Sequence, residues 1–524
     1  MRLMPATMST QHPDNVSPPP WTKEEVLAGD AEIEETFYAF SELGCQEQMW
    51  DWEGKDADPN VVRKLFATYP DYFKTHRLGR DVFLTLRIAN PSIERTEQKA
   101  VIEALASIPR SYDVASNFYS GEAIPPIFEV ILPMTSNAAE LVRIASYYER
   151  LVTPSSVTTM NNDDEVSSLD WIGEFNPKQI AIIPLLENFE SLLNADEIVG
   201  DYIKRKTPSH IRVFLGRSDP ALNYGMISAV LLCKIALAKL GQIANNSGVA
   251  VYPILGAGSL PFRGNLTPLN LPSFLQQYSG IRTATIQSSL KYDFEKESTK
   301  SLIRTLNSTI SNSQVPTIER DQFALLEVIA RKLTACYQSR VEQLAGLVNT
   351  ISSYVPRRRD RRLHIGLFGY SRQVGTVKLP RAIDFTASLY SIGVPPELLG
   401  LQALGNLTEN EYATLNEFYP QWKNDLQWAG NYLCWENINM LSDDQDVVAR
   451  VTRPYNLGRV IAQILSDIEE AEVRLGARLG PRTLSQRKHQ NISNNTLIAL
   501  AEEAGGTDVA RYIIESGRLR YSLG

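Results

Sequence analysis

Glu187 and Asp219 are the two carboxylates whose setting most suggests chemistry. The first closes the apolar stretch Gln179-Ile-Ala-Ile-Ile-Pro-Leu-Leu-Glu187. The second stands in Gly216-Arg-Ser-Asp219-Pro220, where the run Ile211 to Leu215 stops at a turn. Neighbouring strands lie about 4.8 Å apart, so two carboxylates at the same sheet end can share one ion. A hard cation suits them, because Mg²⁺ takes one or two protein carboxylates and keeps its other positions for water and substrate phosphate. The same residues could serve local structure instead, Glu187 as a helix cap and Asp219 as an Asx-turn before Pro220.

Arginines occupy similar places. Arg87 ends the run from Asp81, Arg263 follows Gly256-Ala-Gly258-Ser-Leu-Pro-Phe, Arg372 follows Gly369-Tyr-Ser, and Arg381 precedes Ala382-Ile383. Any one of them could pair with a surface acid. Several around a metal would suit a doubly charged phosphate plus a carboxylate, because guanidinium grips both bidentately. Gly256 and Gly258 could add backbone N–H groups for an anion, although a GxG alone is weak evidence. His12, in Met8-Ser-Thr-Gln-His-Pro-Asp-Asn15, offers a proton donor or acceptor near neutral pH. Gln48-Met-Trp-Asp-Trp-Glu-Gly54 reads either as a wall of such a site or as packing.

Short apolar runs would hold these residues in place. They are Asp81 to Arg87, Ile127 to Pro133, Gln179 to Glu187, Ile211 to Leu215, Val249 to Leu255 and Leu363 to Gly369, each ending in a polar or glycine-containing turn. Near-continuous apolar runs are expected of parallel strands buried on both faces. Helical segments alternate with them. Asn137 and Glu140 have capping-box spacing ahead of the apolar face Leu141, Ile144, Ala145 and Tyr148, and Met226 to Leu240 is helical up to the stop at Gly241. A weak strand at Met8 to Gln11 and another at Ala382 to Leu389 bring the count to eight, which closes a β/α barrel; an open doubly wound sheet is the alternative. The expected fold class is α/β, a (β/α)8 TIM-type barrel forming a single domain. Its core covers about residues 8–400, with a helical insertion at about 267–362, notably Asp321 to Val348, and C-terminal helices at about 400–524.

Composition narrows the function classes. Hydrophobic residues are 43% and charged residues 21% of 524, which is ordinary for a globular chain and excludes wholesale disorder. A net charge of -8 argues against nucleic-acid binding through bulk electrostatics. Cys45, Cys233, Cys336 and Cys434 have neither disulfide-framework nor zinc spacing and read as reduced cytoplasmic thiols. Met226 to Leu240 carries Lys234 and Lys239 and is too short to span a bilayer, so no membrane role is expected. The basic run Arg357 to Arg362 reads as a solvated loop, with an anion or subunit contact as the other reading.

The motifs MSTQHPDN (8–15), LGCQEQMWDWEGKD (43–56), DVFLTLRIANP (81–91), FEVILPMT (128–135), LGRSDPALNYG (215–225), GAGSLPFRGN (256–265) and LPRAIDFTASLYSIGVPPE (379–397) together resemble the archaeal-type phosphoenolpyruvate carboxylases. The resemblance implies a barrel enzyme, usually a homotetramer, that uses Mg²⁺ or Mn²⁺. It would convert phosphoenolpyruvate and bicarbonate to oxaloacetate and phosphate, through carboxyphosphate and a metal-stabilised enolate. It implies metal ligation by Glu187 and Asp219, a catalytic His12, and substrate contacts from Arg87, Arg263 and Arg381, the last placed before Ala-Ile on the eighth strand. The chain departs from the long enzymes at Leu222, where they carry a lysine, at Leu255-Gly-Ala-Gly-Ser, which lacks their His-Gly-Arg-Gly-Gly, and at Arg520-Tyr-Ser-Leu-Gly524, which lacks the asparagine of their inhibitory aspartate site. Two other readings stay open: a metal-enolate aldolase or lyase that needs no bicarbonate, and a non-catalytic homologue.

Overall fold

The computed structural model describes residues 3–122, 124–153, 168–312, 314–360, 373–374, 377–503 and 506–524. Eight parallel strands close into a barrel: β1 (Thr7–Ser9), β2 (Glu47–Asp51), β3 (Phe83–Arg87), β4 (Glu129–Leu132), β5 (Ala181–Leu186), β6 (His210–Gly216), β7 (Ala250–Gly256) and β8 (Thr283–Ile286). Each pairs with the next, and β1 pairs with β8, Met8 lying opposite Thr285. Helices separate the strands in sequence and wrap the outside.

Side chains alternate between the two faces of a strand, so every second residue enters the barrel. The floor at the amino-terminal end is ionic. Arg212 of β6 donates to Glu47 of β2 at 2.8 and 2.7 Å, to Glu129 of β4 at 2.7 Å and to Thr283 of β8 at 3.2 Å. These four residues come from alternate strands, as a barrel layer requires. Above them lies an apolar plug of Met8, Met49, Ile131, Ile183, Leu185, Phe214 and Ile254. One step further the lumen turns polar again, with Asp51, Arg87, Glu187 and Gln287 at the carboxyl ends of β2, β3, β5 and β8. Stability and chemistry therefore occupy opposite ends. Arg212→Met strands two buried carboxylates and should cost about 3–5 kcal/mol. Urea unfolding measures this, and a loss below about 1 kcal/mol would contradict the role given to Arg212.

Three expectations need correcting. The segment Ala382–Ser391 is a helix, not a strand, and nine of its residues are buried; a run buried on every side carries no periodicity that separates helix from strand. The eighth strand is Thr283–Ile286, inside the stretch read as a helical insertion. The basic run is not wholly a solvated loop, because Arg358 and Arg359 are each 3% exposed. The stretch Gln48 to Gly54 supplies most of β2, and the expected strand Leu363 to Gly369 lies outside the described residues. The helix Arg320–Ser352 covers the expected one, and from residue 400 onward every described element is helical. Helix Met226–Ser247 is long and apolar enough by composition to cross a membrane, but 78% of its most apolar window is buried inside the fold, where it packs on Arg320–Ser352 and Ala195–Lys206.

Candidate active site

One cavity at the carboxyl end of the barrel brings together His12, Glu53, Arg87, Glu187, Asp219, Arg263 and Arg381, with Ser218 and the apolar Pro13, Ala382 and Ile383 completing the wall. The space between these residues, open solvent included, is about 500 Å³. Arg372 lies outside the described residues.

Glu187 follows β5 directly. Leu186 pairs with Leu215 of β6, which carries the Glu187 side chain over Gly216. A Cβ on Gly216 would stand 2.9 Å from Glu187 Cγ, so only glycine leaves this carboxyl its position. Glu187 is not the cap of the following helix. Asn188 takes that role, its side chain accepting from the Ser191 N–H at 2.7 Å. Glu187 Oε2 accepts from the Met134 N–H at 3.0 Å, and Oε1 has no hydrogen-bond partner among the described residues. Asp219 stands in the first turn of the short helix Ser218–Tyr224 that follows β6. Burial, then the charges of Asp219 and Glu53, push the Glu187 carboxyl well above the usual carboxylate range, with Arg87 offsetting part of the effect.

A buried, partly unpartnered carboxyl pressed by two like charges is a fit for a divalent cation, which would relieve all three at once. Gly216→Ala should therefore displace Glu187 and weaken Mn²⁺ binding about tenfold or more, with a packing cost of about 1–3 kcal/mol. Titration followed by electron paramagnetic resonance reads the affinity, and unchanged binding would contradict the close-approach argument.

The arginines are aimed by other residues. Arg87 is gripped bidentately by Asp51 at 2.9 and 2.6 Å, and its Nε is 3.2 Å from Glu53 Oε2. Arg263, 1% exposed, ties four segments together. It donates to Ser218 Oγ at 3.0 Å, Asp14 Oδ2 at 3.0 Å, the Gly524 carbonyl oxygen at 2.6 Å and Gln287 Oε1 at 2.5 Å. Arg381 is the residue before helix Ala382–Ser391, not before a strand as the resemblance implied. A Cβ on Gly54, whose φ is +68°, would come within 3.0 Å of its guanidinium, so this glycine keeps room for Arg381. Gly256 and Gly258 do not line the cavity. The Gly258 N–H is given to the Arg263 carbonyl at 2.8 Å, which shapes the arginine's own loop. Leu222, at the position where the long enzymes carry lysine, is fully buried and its carbonyl accepts from Tyr337 at 2.9 Å.

His12 Nδ1 is 2.8 Å from Thr10 Oγ1, and the loop that carries it is held from behind by buried charge. Lys291 donates to the Thr10 carbonyl at 2.9 Å and to Glu35 at 2.7 Å, and Arg359 also bonds Glu35. Lys55 bridges Gln11 at 2.9 Å and Glu32 at 2.5 Å. Asp14 and Gln287 were not singled out from sequence, whereas Asp51 and Glu53 belong to the stretch Gln48 to Gly54 read as site wall or packing, and Glu53 does line the cavity. The period-2 alternation of β2, placing Glu47, Met49 and Asp51 on one face, was the signal available for Asp51.

Comparison with known proteins bears on the family of the chain. A family model described as phosphoenolpyruvate carboxylase matches residues 4–524. A phosphoenolpyruvate carboxylase of Metallosphaera sedula is 43% identical over 525 aligned residues, covering 100% of both chains. One of Methanospirillum hungatei is 50% identical across 82% of this chain and 87% of its own, and one of Halobacterium salinarum is 45% identical across 85% and 90%.

Proposed function

The chain belongs to the phosphoenolpyruvate carboxylase family, and from that premise we propose that its barrel mouth carboxylates phosphoenolpyruvate with bicarbonate, giving oxaloacetate and phosphate. The family is metal-dependent, and the cation assigned here is Mg²⁺, replaceable by Mn²⁺, held by Glu187 and Asp219. When bound it supplies positive charge to the oxygen that becomes negative as phosphate leaves.

The chain's own groups do the rest. Arg87, pre-aimed by Asp51, and Arg381 receive the phosphate and carboxylate of the substrate, because a planar guanidinium matches either group. Arg263 keeps the loops of His12 and Asp219 in register through Asp14 and Ser218 while facing the same cavity. A bicarbonate oxygen attacks phosphorus, the bond from phosphorus to the enol oxygen breaks, and carboxyphosphate and the enolate of pyruvate result. His12 takes the proton of carboxyphosphate as its C–O bond breaks to CO₂ and phosphate, and the enolate carbon then attacks CO₂. Pro13, Ala382 and Ile383 keep that wall apolar. Water there would protonate the enolate to pyruvate.

The observation that carries this reading is the meeting of Glu187, Asp219 and three arginines in one cavity at the carboxyl end of the barrel. Its test is the consumption of NADH by malate dehydrogenase in the presence of phosphoenolpyruvate, bicarbonate and Mg²⁺. NADH loss that needs both bicarbonate and metal is expected; phosphoenolpyruvate turnover indifferent to bicarbonate would overturn it. The proposal includes one domain, a cytoplasmic setting and a homotetramer, the last read by sedimentation as four times 58.7 kDa.

A further inference from the structure

Thr10 is fully buried two residues before His12, and its Oγ1 stands 2.8 Å from His12 Nδ1. That is the one hydrogen bond the Thr10 hydroxyl makes among the described residues. The backbone of Thr10 is fixed from both sides. Its N–H donates to the Ile286 carbonyl at 3.1 Å, at the end of β8, and its own carbonyl accepts from Lys291 Nζ at 2.9 Å. A residue before a proline is pushed out of the helical region, and in an extended chain alternate side chains share a face. Thr10 and His12, ahead of Pro13, therefore meet on one side, while Gln11 turns to the other, where its Oε1 accepts from the Asp51 N–H at 3.0 Å and from Lys55 at 2.9 Å.

We infer that Thr10 is a positioning residue for the carboxylation: its hydroxyl oxygen accepts the Nδ1–H of His12, which assigns the proton of carboxyphosphate to Nε2. The inference rests on His12 acting as that base. As Nε2 takes the proton, the bond from the carboxyl carbon to the phosphate oxygen breaks and CO₂ and phosphate separate. The ring is then an imidazolium, and it passes the proton on to phosphate. Both nitrogens of an imidazolium are donors, so Nδ1–H needs an acceptor before and after the transfer. A hydroxyl suits a base that is protonated only in passing, because it orients the ring without the negative charge that would hold the proton there.

The test uses the full chain with phosphoenolpyruvate, bicarbonate and Mg²⁺, and follows oxaloacetate, phosphate and pyruvate separately. Thr10→Val nearly keeps the shape of the side chain and removes the acceptor. It should lower kcat for oxaloacetate about 10–100-fold, the worth of one hydrogen bond to a charged group. KM for phosphoenolpyruvate should stay at the parental value, and pyruvate should form in place of oxaloacetate. Thr10→Ser, which returns the hydroxyl, should recover most of the parental kcat. The double variant Thr10→Val with His12→Asn should be no slower than His12→Asn alone, because Thr10 acts through the ring; independent losses would multiply instead. Parental kcat in Thr10→Val, no recovery in Thr10→Ser, or multiplied losses in the double variant would each overturn the inference. His12→Asn alone separates the two levels. Parental carboxylation there defeats the base reading itself, whereas a split reaction in His12→Asn beside parental kcat in Thr10→Val defeats only the role of Thr10.

Discussion

Glu187→Ala is expected to abolish oxaloacetate formation, with kcat down by about 10³-fold and Mn²⁺ binding strongly weakened. The size of the effect follows from where the residue stands. Its carboxyl is buried, rests on a glycine that no other residue could replace without a clash, and belongs to a residue lining the same cavity as Asp219. Removing it takes away half of the paired charge proposed to hold the cation. The structural cost is smaller. The Met134 N–H loses its acceptor, worth about 1–3 kcal/mol, so the variant should fold and melt only modestly lower. Glu187→Gln keeps an acceptor for Met134 and should be nearly as inactive, which separates charge from structure. A variant with parental Mn²⁺ affinity would remove Glu187 from the site.

His12→Asn should split the reaction. Oxaloacetate formation is expected to fall by about 10²–10⁴-fold, the usual worth of a positioned acid or base, while bicarbonate-dependent phosphate release continues and pyruvate accumulates. Asparagine fills part of the imidazole's space and can still meet Thr10, but it accepts no proton. Carboxyphosphate then forms and is lost to hydrolysis while the enolate is protonated by water. Unchanged carboxylation would take His12 out of the chemistry; equal loss of phosphate release would move its role to an earlier step.

Much of the barrel was legible because strands buried on both faces are apolar runs, and β3 to β7 each matched one. The two strands that escaped notice, Glu47–Asp51 and Thr283–Ile286, share a physical cause. Their inward residues, Glu47 and Asp51 on one and Thr283 and Thr285 on the other, belong to the polar floor and mouth of the lumen, so the apolar signal is broken where the barrel is not apolar. In the site, Glu187, Asp219 and Arg87 were visible as residue types at or just after strand ends, and His12, Arg263 and Arg381 as residue types in motif-bearing loops. Their partners were not, since Arg87 meets Asp51 across 36 residues and Arg263 meets Asp14 across 249. The same holds for Arg359, whose burial depends on Glu32 and Glu35, on the same face of helix Asp30–Ser41. A basic run looks solvated until the acids that meet it are known.

The most direct measurement of the central claim is anomalous scattering from crystals soaked in Mn²⁺. One peak at the barrel mouth, touched by carboxylate oxygens of both Glu187 and Asp219, is the predicted result. A peak held by other residues, or one that reaches only one of these two carboxylates, would contradict the account.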